Sequence, residues 1–441
     1  MSSNTPTVSP TTDIIDALAG IAPGDTLDEA RRRRPEARTH AQGSFDALFV
    51  PDDPSHVTLA ERAAVALFVA RLHQQAPAVE FYGALLRETG KGLGAGAGEA
   101  LEPLIVAEAE RAAGSGPYGA FRADNAPEST EGPVYRVSSV EAAYALGDRL
   151  AAALEHAHLL VLHPRDAARE PLQQLLDAGW STTGVVTLSQ LVSFLTFQLR
   201  VVHGLGRLSA GEGSASLPAL AAEVARAAET RTADGSAEAA TAGPGEQLPP
   251  APEVQEPPRF TQEALGWKPW LEPLPVAEFT ERHYDALVQR DRVHMPYFRL
   301  LARDPEALRE RTLTDLDIFT NTDAGLPRAE RELAAAAASR FNGCVFCASV
   351  HARFASENGA DRAEVQRLLD DGVSVRLSPR LDAIVDATVA LTATPSRFGA
   401  AEIAALREAG LDELSLLDVI QAGAFFNWAN RLMLSIGEPT L

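Results

Sequence analysis

The sequence predicts an all-α protein. Strand patterns are weak along its 441 residues, whereas Ala-rich segments with helical spacing of apolar residues recur. The clearest helix signal is an Ala-rich run that ends at Asn342-Gly343. Because a glycine just past such a run is typical of a helix C-terminus, we expect one helix before Gly343 and a second that opens at Cys344.

Length and composition limit the possible functions. The length favours two or three domains, and the net charge of −21 with a pI near 4.9 argues against binding to nucleic acid or anionic membranes. The N-terminus lacks the pattern of a secretory signal, and polar residues interrupt the most apolar stretch, residues 185–202. We therefore expect a cytoplasmic protein without a membrane span. Thiols stay reduced in that compartment, so a cysteine pair favours catalysis over a structural disulfide.

The chain has two cysteines, Cys344 and Cys347, with His351 after them and Glu332 before them. On one helix the two thiols and the imidazole share a face, and the helix dipole stabilises a thiolate near its N-terminus. If the preceding helix folds back, Glu332 comes level with His351 and can orient it as a base. Two adjacent thiols can also close a disulfide after one is oxidised to a sulfenic acid. The four residues therefore predict a thiol redox site.

The pattern E-x11-C-x2-C-x3-H resembles the signature of alkyl hydroperoxidase D, in the carboxymuconolactone decarboxylase (CMD) superfamily. The flanking sequences LPRAERELAAAAASRFNGC and FFNWANRL are similar to the peroxidase-related branch, and the resemblance covers residues 259–441. It implies that Cys347 is the peroxidatic cysteine and Cys344 the resolving one. It also implies that His351 and Glu332 form a proton relay.

One departure concerns the two residues between the cysteines. Some relatives carry a histidine there, where this chain has Val345-Phe346. His283, His294 and Tyr284 are candidates to assist the peroxidatic cysteine instead, although sequence distance places none of them.

The first half of the chain is similar to the second. Residues 57–86, which read as one long helical stretch, align without gaps with the motif region, and LLDAGWSTTGVVTLSQLVSFLTFQLRVV aligns with LREAGLDELSLLDVIQAGAFFNWANRLM. In this register the four site positions are occupied by Ala63, Gln75, Ala78 and Tyr82. We predict a degenerate CMD-like repeat with a structural role, although shared Ala-rich composition is an alternative explanation.

These observations divide the chain into four parts. The parts are a partly disordered N-terminal segment (1–40), a degenerate CMD-like domain (41–207), a low-complexity, disordered linker with a short helical possibility (208–258) and a catalytic domain (259–441). The arginine run at residues 31–34 reads as a solvated helix face. Glu61 and His73 could be a remnant acid–base pair of the first domain.

The leading hypothesis is a thiol-dependent alkyl hydroperoxide reductase. Its partners would be a small hydroperoxide and an external dithiol or protein reductant, it would need no cofactor, and the resemblance implies a homo-oligomer. A CMD-type acid–base decarboxylase and a non-enzymatic redox sensor or scaffold are the alternatives. A zinc site is disfavoured because no further cysteine completes four ligands, and a redox-inert buried pair is the remaining interpretation.

Overall fold

The computed structural model describes residues 12–94, 96–137, 139–209, 216–232, 246–321 and 323–441. The predicted all-α class is confirmed, since helices dominate these ranges and their strands form one two-stranded antiparallel sheet. The helices of the first half are α1 (Ile14–Ala19), α2 (Thr26–Arg32), α3 (Pro35–Phe49), α4 (Leu59–Leu72), α5 (Ala76–Thr89), α6 (Ala97–Arg111), α7 (Val140–Leu162), α8 (Arg169–Asp177), α9 (Thr182–Leu208) and α10 (Leu217–Arg231). Those of the second half are α11 (Glu281–Ala286), α12 (Pro296–Leu301), α13 (Pro305–Thr320), α14 (Arg328–Asn342), α15 (Val345–Glu357), α16 (Arg362–Asp371), α17 (Pro379–Thr392), α18 (Ala400–Glu408) and α19 (Glu413–Ser435). The strands are β1 (Gly266–Pro269) and β2 (Gly437–Thr440).

The predicted helix boundary at Gly343 is present. Gly343 ends α14 in the left-handed conformation (φ 81°), and its backbone N–H donates to the carbonyl groups of Ser339 and Arg340. A left-handed residue at this position suits glycine, which has no Cβ to clash. Cys344 follows as the N-cap of α15. The chain thus turns sharply, and α14 packs against α15 as an antiparallel hairpin.

The same helical hairpin occurs in the first half as α4 and α5. Gln74 has a left-handed backbone (φ 56°) at the position equivalent to Gly343, and Gln75 is the N-cap of α5 as Cys344 is of α15. Arg62 and Arg331 each donate from Nε to the carbonyl five residues earlier. The equivalent helices α8 and α18 each have nine residues. The helical hairpin and several local contacts therefore repeat between the two halves.

The two halves meet along α9 and α19, which cross with near-twofold symmetry. Phe194 packs edge-on to Trp428, with ring centroids 5.2 Å apart, and Phe197 packs edge-on to Phe425 at 6.0 Å. At the crossing point, Thr196 Oγ1 donates to the carbonyl of Asn427 over 3.1 Å. In the alignment of the two halves, Phe425 is the counterpart of Phe194 and Trp428 is the counterpart of Phe197. Each aromatic residue of α9 therefore contacts the counterpart of the other one.

Two buried arginines extend this reciprocity. Arg200 on α9 donates to the carbonyl groups of Leu391 and Thr392 at the end of α17, in the second half. Arg431 on α19 donates to the carbonyl of Val161 near the end of α7, in the first half. Each half therefore satisfies backbone acceptors of the other.

One hydrophobic cluster runs through both halves. The long helix α9 lies at its centre. By length and hydropathy this helix could span a membrane, but its most apolar window is entirely buried inside the fold. Its apolar sequence is therefore explained by burial against α19.

The N-terminal segment is more ordered than the partly disordered segment that we predicted for residues 1–40. Residues 13–40 are mostly helical, in α1, α2 and the start of α3, and they contribute Ile14, Ile15 and Leu27 to the core. Residues 1–11 lie outside the described part of the chain. The segment is ordered because apolar side chains interrupt its polar sequence at helical spacing.

The arginine run in this segment is only in part the solvated face that we predicted. Arg32 and Arg33 are exposed, whereas Arg31 and Arg34 are 1% and 0% exposed. Arg31 Nη1 lies 3.0 Å from Asp13 Oδ1, and Arg34 Nε lies 2.8 Å from Asp418 Oδ1 on α19. Carboxylates neutralise these buried cations, which a count of charge along the sequence does not reveal.

The predicted linker over residues 208–258 is also corrected in part. Its α10 packs on α5 through a buried apolar face. The residues of that face are Leu220, Ala221, Val224, Ala225 and Ala228. The chain after residue 245 then follows the first half, where the backbone N–H of Leu248 donates to Gln173 over 3.1 Å. Residues 210–215 and 233–245, which include part of the Gly- and Ala-rich stretch, lie outside the described residues.

Candidate active site

The α14–α15 hairpin brings the two cysteines into contact. Cys344 Sγ donates to Cys347 Sγ over 2.9 Å, and both are free thiols. Both side chains are buried, with 2% and 4% of their surface exposed. A disulfide has an S–S distance of about 2.05 Å, so only a small movement separates these thiols from bond formation.

Glu332 and His351 form the second predicted pair. Glu332 Oε2 lies 2.6 Å from His351 Nδ1, and its other carboxylate oxygen accepts from Arg328 Nε over 3.1 Å. Glu332 is almost fully buried. Because a carboxylate accepts, Nδ1 carries a proton in this contact, and Nε2 takes no part in it. The ring of Phe426 packs edge-on against this imidazole, with centroids 4.0 Å apart.

All four residues therefore lie on one hairpin, joined by hydrogen bonds as two pairs. Cys347 and His351 are one helical turn apart on α15, so their side chains project from the same face. Glu332 reaches His351 from α14, across the turn at Gly343. This is the fold-back that the spacing predicts.

The two thiols differ in their electrostatic surroundings. Burial, and then the hydrogen bond to Cys347, raise the pKa of Cys344 well above its ordinary value. The position at a helix N-terminus therefore does not lower the pKa of Cys344. The cost of ionising a buried thiol is larger than the stabilisation that the helix dipole offers to a thiolate. Cys344 keeps its proton and donates it toward Cys347.

Asparagines of α19 hold the turn that carries Cys344. Asn342 Nδ2 donates to Asn430 Oδ1 over 3.0 Å, and Asn430 Nδ2 donates to Ser339 Oγ over 2.9 Å. A hydrogen bond from Asn430 also opposes the rise in the pKa of Cys344. Asn427, Asn430 and Arg431 are all buried, and the hydrogen bonds that they form are internal.

A narrow cleft reaches Cys344 from the surface, and both halves line it. Phe121 and Arg165 come from the first half, and Phe260, Trp267 and Phe346 from the second. The guanidinium of Arg165 lies 4.2 Å from the ring centroid of Phe121, and its Nη2 donates to the carbonyl of Phe341. The degenerate half therefore forms one wall beside the cysteine pair.

Three residues of this region were not anticipated from the sequence. They are Tyr297 on α12 and Arg311 and Asp315 on α13. Burial raises the pKa of Asp315, although the positive charges of Arg311 and His351 act to lower it. Burial also raises the pKa of Tyr297 to about 12, and the thiols of Cys347 and Cys344 contribute to that rise. No signal in the sequence pointed to these residues, because neither spacing nor motif links them to the cysteines.

The other suggested assistants make different contacts. His283 Nδ1 lies 3.0 Å from the backbone nitrogen of Thr280 at the start of α11, and His294 is exposed. The ring of Tyr284 stacks under Arg290. None of these contacts connects them to the cysteine pair.

The first half has no equivalent site. Tyr82, at the position of His351, donates to Gln198, and Gln75, at the position of Cys344, bonds to His203. Glu61 pairs with Arg149, while His73 contacts Arg200, so the suggested remnant pair does not form. Within the described residues, no group of three or more His, Cys, Asp or Glu is arranged to hold a metal ion.

Comparison with known families identifies the stretch that contains the site. Residues 305–390 match the model of the carboxymuconolactone decarboxylase family. The chain is therefore similar to this family over about a fifth of its length. The matched residues cover α13 to α16 and most of α17, and they include all four predicted site residues. No curated protein and no solved structure matches the chain significantly.

Proposed function

We propose that this protein is a thiol-dependent hydroperoxide reductase. The observation that carries the proposal is the contact between Cys344 Sγ and Cys347 Sγ at 2.9 Å, one helical turn from an imidazole held by a buried carboxylate. Acid–base chemistry alone requires no pair of adjacent thiols. A redox cycle requires a nucleophilic thiol, a second thiol in reach and a proton carrier, and all three lie on this hairpin.

In the first step, His351 Nε2 accepts the proton of the Cys347 thiol. The thiolate attacks the terminal oxygen of the hydroperoxide, so an S–O bond forms, the O–O bond breaks and the electron pair leaves with the alkoxide. His351 returns its proton to that alkoxide, giving an alcohol and a sulfenic acid at Cys347. Glu332 keeps Nδ1 protonated, which orients the ring and stabilises the imidazolium while it exists.

In the second step, the Cys344 sulfur attacks the sulfenic acid. Its proton and the hydroxyl group of the sulfenic acid leave as water, and the Cys344–Cys347 disulfide forms. An external dithiol then restores the two thiols through a mixed disulfide and carries away the two electrons as its own disulfide. The cleft beside Cys344 is the route we propose for that reductant.

The family match itself favours one alternative, an acid–base reaction of the decarboxylase type. The Glu332–His351 pair could support it without either thiol. A variant with both cysteines replaced by serine separates the two possibilities, because it would retain activity on a lactone acid only if the acid–base reaction is the true one.

The direct test is a thiol count after reaction with one equivalent of cumene hydroperoxide. We expect the wild-type protein to lose two thiols rapidly and C344S to lose one, stopping at the sulfenic acid, which a dimedone probe reveals. C347S, which retains the other cysteine of the same hairpin, serves as the matched variant and should react only as slowly as an ordinary buried thiol. Equal rates for C347S and the wild type would refute the assignment.

A further inference from the structure

Arg311 is a buried cation that forms no close ion pair among the described residues. It is 5% exposed, and its Nε has no hydrogen-bond partner. The carboxylate of Asp315, four residues further along α13, interacts with it electrostatically but makes no hydrogen bond to its guanidinium. Aromatic rings surround it instead, with centroids at 5.1 Å for Phe425, 5.9 Å for Trp428 and 6.0 Å for Tyr297. Since a buried charge is costly unless it is paired, this guanidinium requires an explanation.

Tyr297 presents a second unpaired polar group in the same place. Its hydroxyl oxygen is buried and has no hydrogen-bond partner, although a buried tyrosine usually bonds through this group. Its high pKa, caused mainly by burial, means that it keeps its proton at neutral pH. Tyr297 is therefore an available hydrogen-bond donor beside an available positive charge.

Contacts on two sides connect this pair to the candidate active site. Tyr297 packs edge-on to Trp267, with centroids 5.4 Å apart, and Trp267 lines the cleft together with Cys344. On the other side, Phe425 packs against Phe426, whose ring covers His351. Aromatic rings therefore link Tyr297 and Arg311 to both the cleft at Cys344 and the imidazole of His351.

We propose that Tyr297 and Arg311 bind the oxygen that leaves the hydroperoxide when Cys347 attacks. As the O–O bond breaks, the electron pair passes to this oxygen, the Tyr297 hydroxyl donates a hydrogen bond to it and the guanidinium offsets its charge. The proton that completes the alcohol still comes from His351. The surrounding rings suit an organic group on that oxygen, so the substrate class is an alkyl or aryl hydroperoxide.

This inference rests on the proposed function, and its test uses two reagents that attack the same sulfur. Cumene hydroperoxide releases an alkoxide, whereas iodoacetamide alkylates the thiolate without forming one. Rates with both are measured at a pH high enough to ionise Cys347 in every variant. We expect Y297F to react about tenfold more slowly with the hydroperoxide, and R311M about a hundredfold, while alkylation changes less than twofold. R311K should recover part of the loss because it keeps the charge.

The matched controls are Y284F and R290K, which alter the stack of the half-buried Tyr284 with the exposed Arg290 in the same half of the chain. Both should react with either reagent as the wild type does. If Y297F and R311M slow both reagents by the same factor, or slow neither, the inference is overturned while the proposed function stands. If the wild-type protein itself does not react with hydroperoxides, the proposed function fails and this inference fails with it.

Discussion

Glu332 Oε2 and His351 Nδ1 lie 2.6 Å apart, although the two residues are separated by 19 positions and lie on different helices. The turn at Gly343 makes this contact possible by folding α15 back along α14. The contact engages Nδ1 of the imidazole and leaves Nε2 free of the carboxylate. In the mechanism that we propose, Nε2 serves the thiol of Cys347 one turn earlier.

Replacing Glu332 by glutamine should therefore slow peroxide reduction. The amide keeps the size of the side chain but cannot stabilise an imidazolium, and we expect kcat/KM to fall about 10- to 100-fold. Steady-state turnover with cumene hydroperoxide and a dithiol measures the effect. E330Q is the matched control, because Glu330 lies on the same helix but pairs with Arg380. Equal losses in both variants would contradict a specific role for Glu332.

Arg431 should be essential for joining the two halves. It is fully buried and bonds neutral carbonyl groups of both halves, and burial lowers its pKa to about 9. Removing it leaves those acceptors unsatisfied in a dry interior, so R431A should lower the free energy of unfolding by about 3–5 kcal/mol. Urea denaturation measures this loss. R407A, which removes an exposed arginine paired with Glu413, should cost less than about 1 kcal/mol, and similar costs for the two would refute the prediction.

The left-handed turns of the two hairpins offer a paired test. At Gly343 a Cβ would stand 2.7 Å from Arg165 Cγ and would also strain the backbone at φ 81°. We expect G343A to destabilise the protein by about 1–2 kcal/mol and to slow disulfide formation by shifting Cys344. At the equivalent position, Q74G relieves a strained backbone and should change stability by less than about 1 kcal/mol. Thermal unfolding distinguishes them, and a neutral G343A would show that the turn tolerates a side chain.

His156 should make stability depend on pH. Burial lowers its pKa from 6.5 to about 4, so the unfolded chain binds its proton more readily than the folded one does. Its contribution to stability is present above pH 6.5 and is lost as the pH falls toward 4, by an amount of about 3 kcal/mol.

Urea unfolding at several pH values tests this prediction. H156Q removes the titrating group and should flatten the decline between pH 6.5 and 4, while H294Q, at an exposed histidine, should leave it unchanged. Parallel pH profiles for the wild type and H156Q would argue against the buried neutral imidazole.

Much of the local structure could be predicted from the sequence. The all-α class and the helix break at Gly343 follow from local propensity and glycine chemistry. The spacing of Cys344, Cys347 and His351 on one helix places them on one face, as α15 shows. The repeat was also visible, because equivalent residues occupy equivalent positions. The break between α4 and α5 was missed, since a left-handed glutamine at residue 74 carries no such signal.

Tertiary structure determined which groups far apart in the sequence lie close together. The burial of Arg31 and Arg34, the placement of Tyr297 and Arg311 beside the cysteines and the cleft wall supplied by Phe121 all depend on how distant helices pack. The helix dipole alone would lower the pKa of a thiol at the start of α15, but burial raises the pKa of Cys344. That burial depends on the packing of distant helices, which the local sequence does not show. Local sequence therefore determined the hairpin and its four chemical groups, while packing between the halves determined their electrostatic environment.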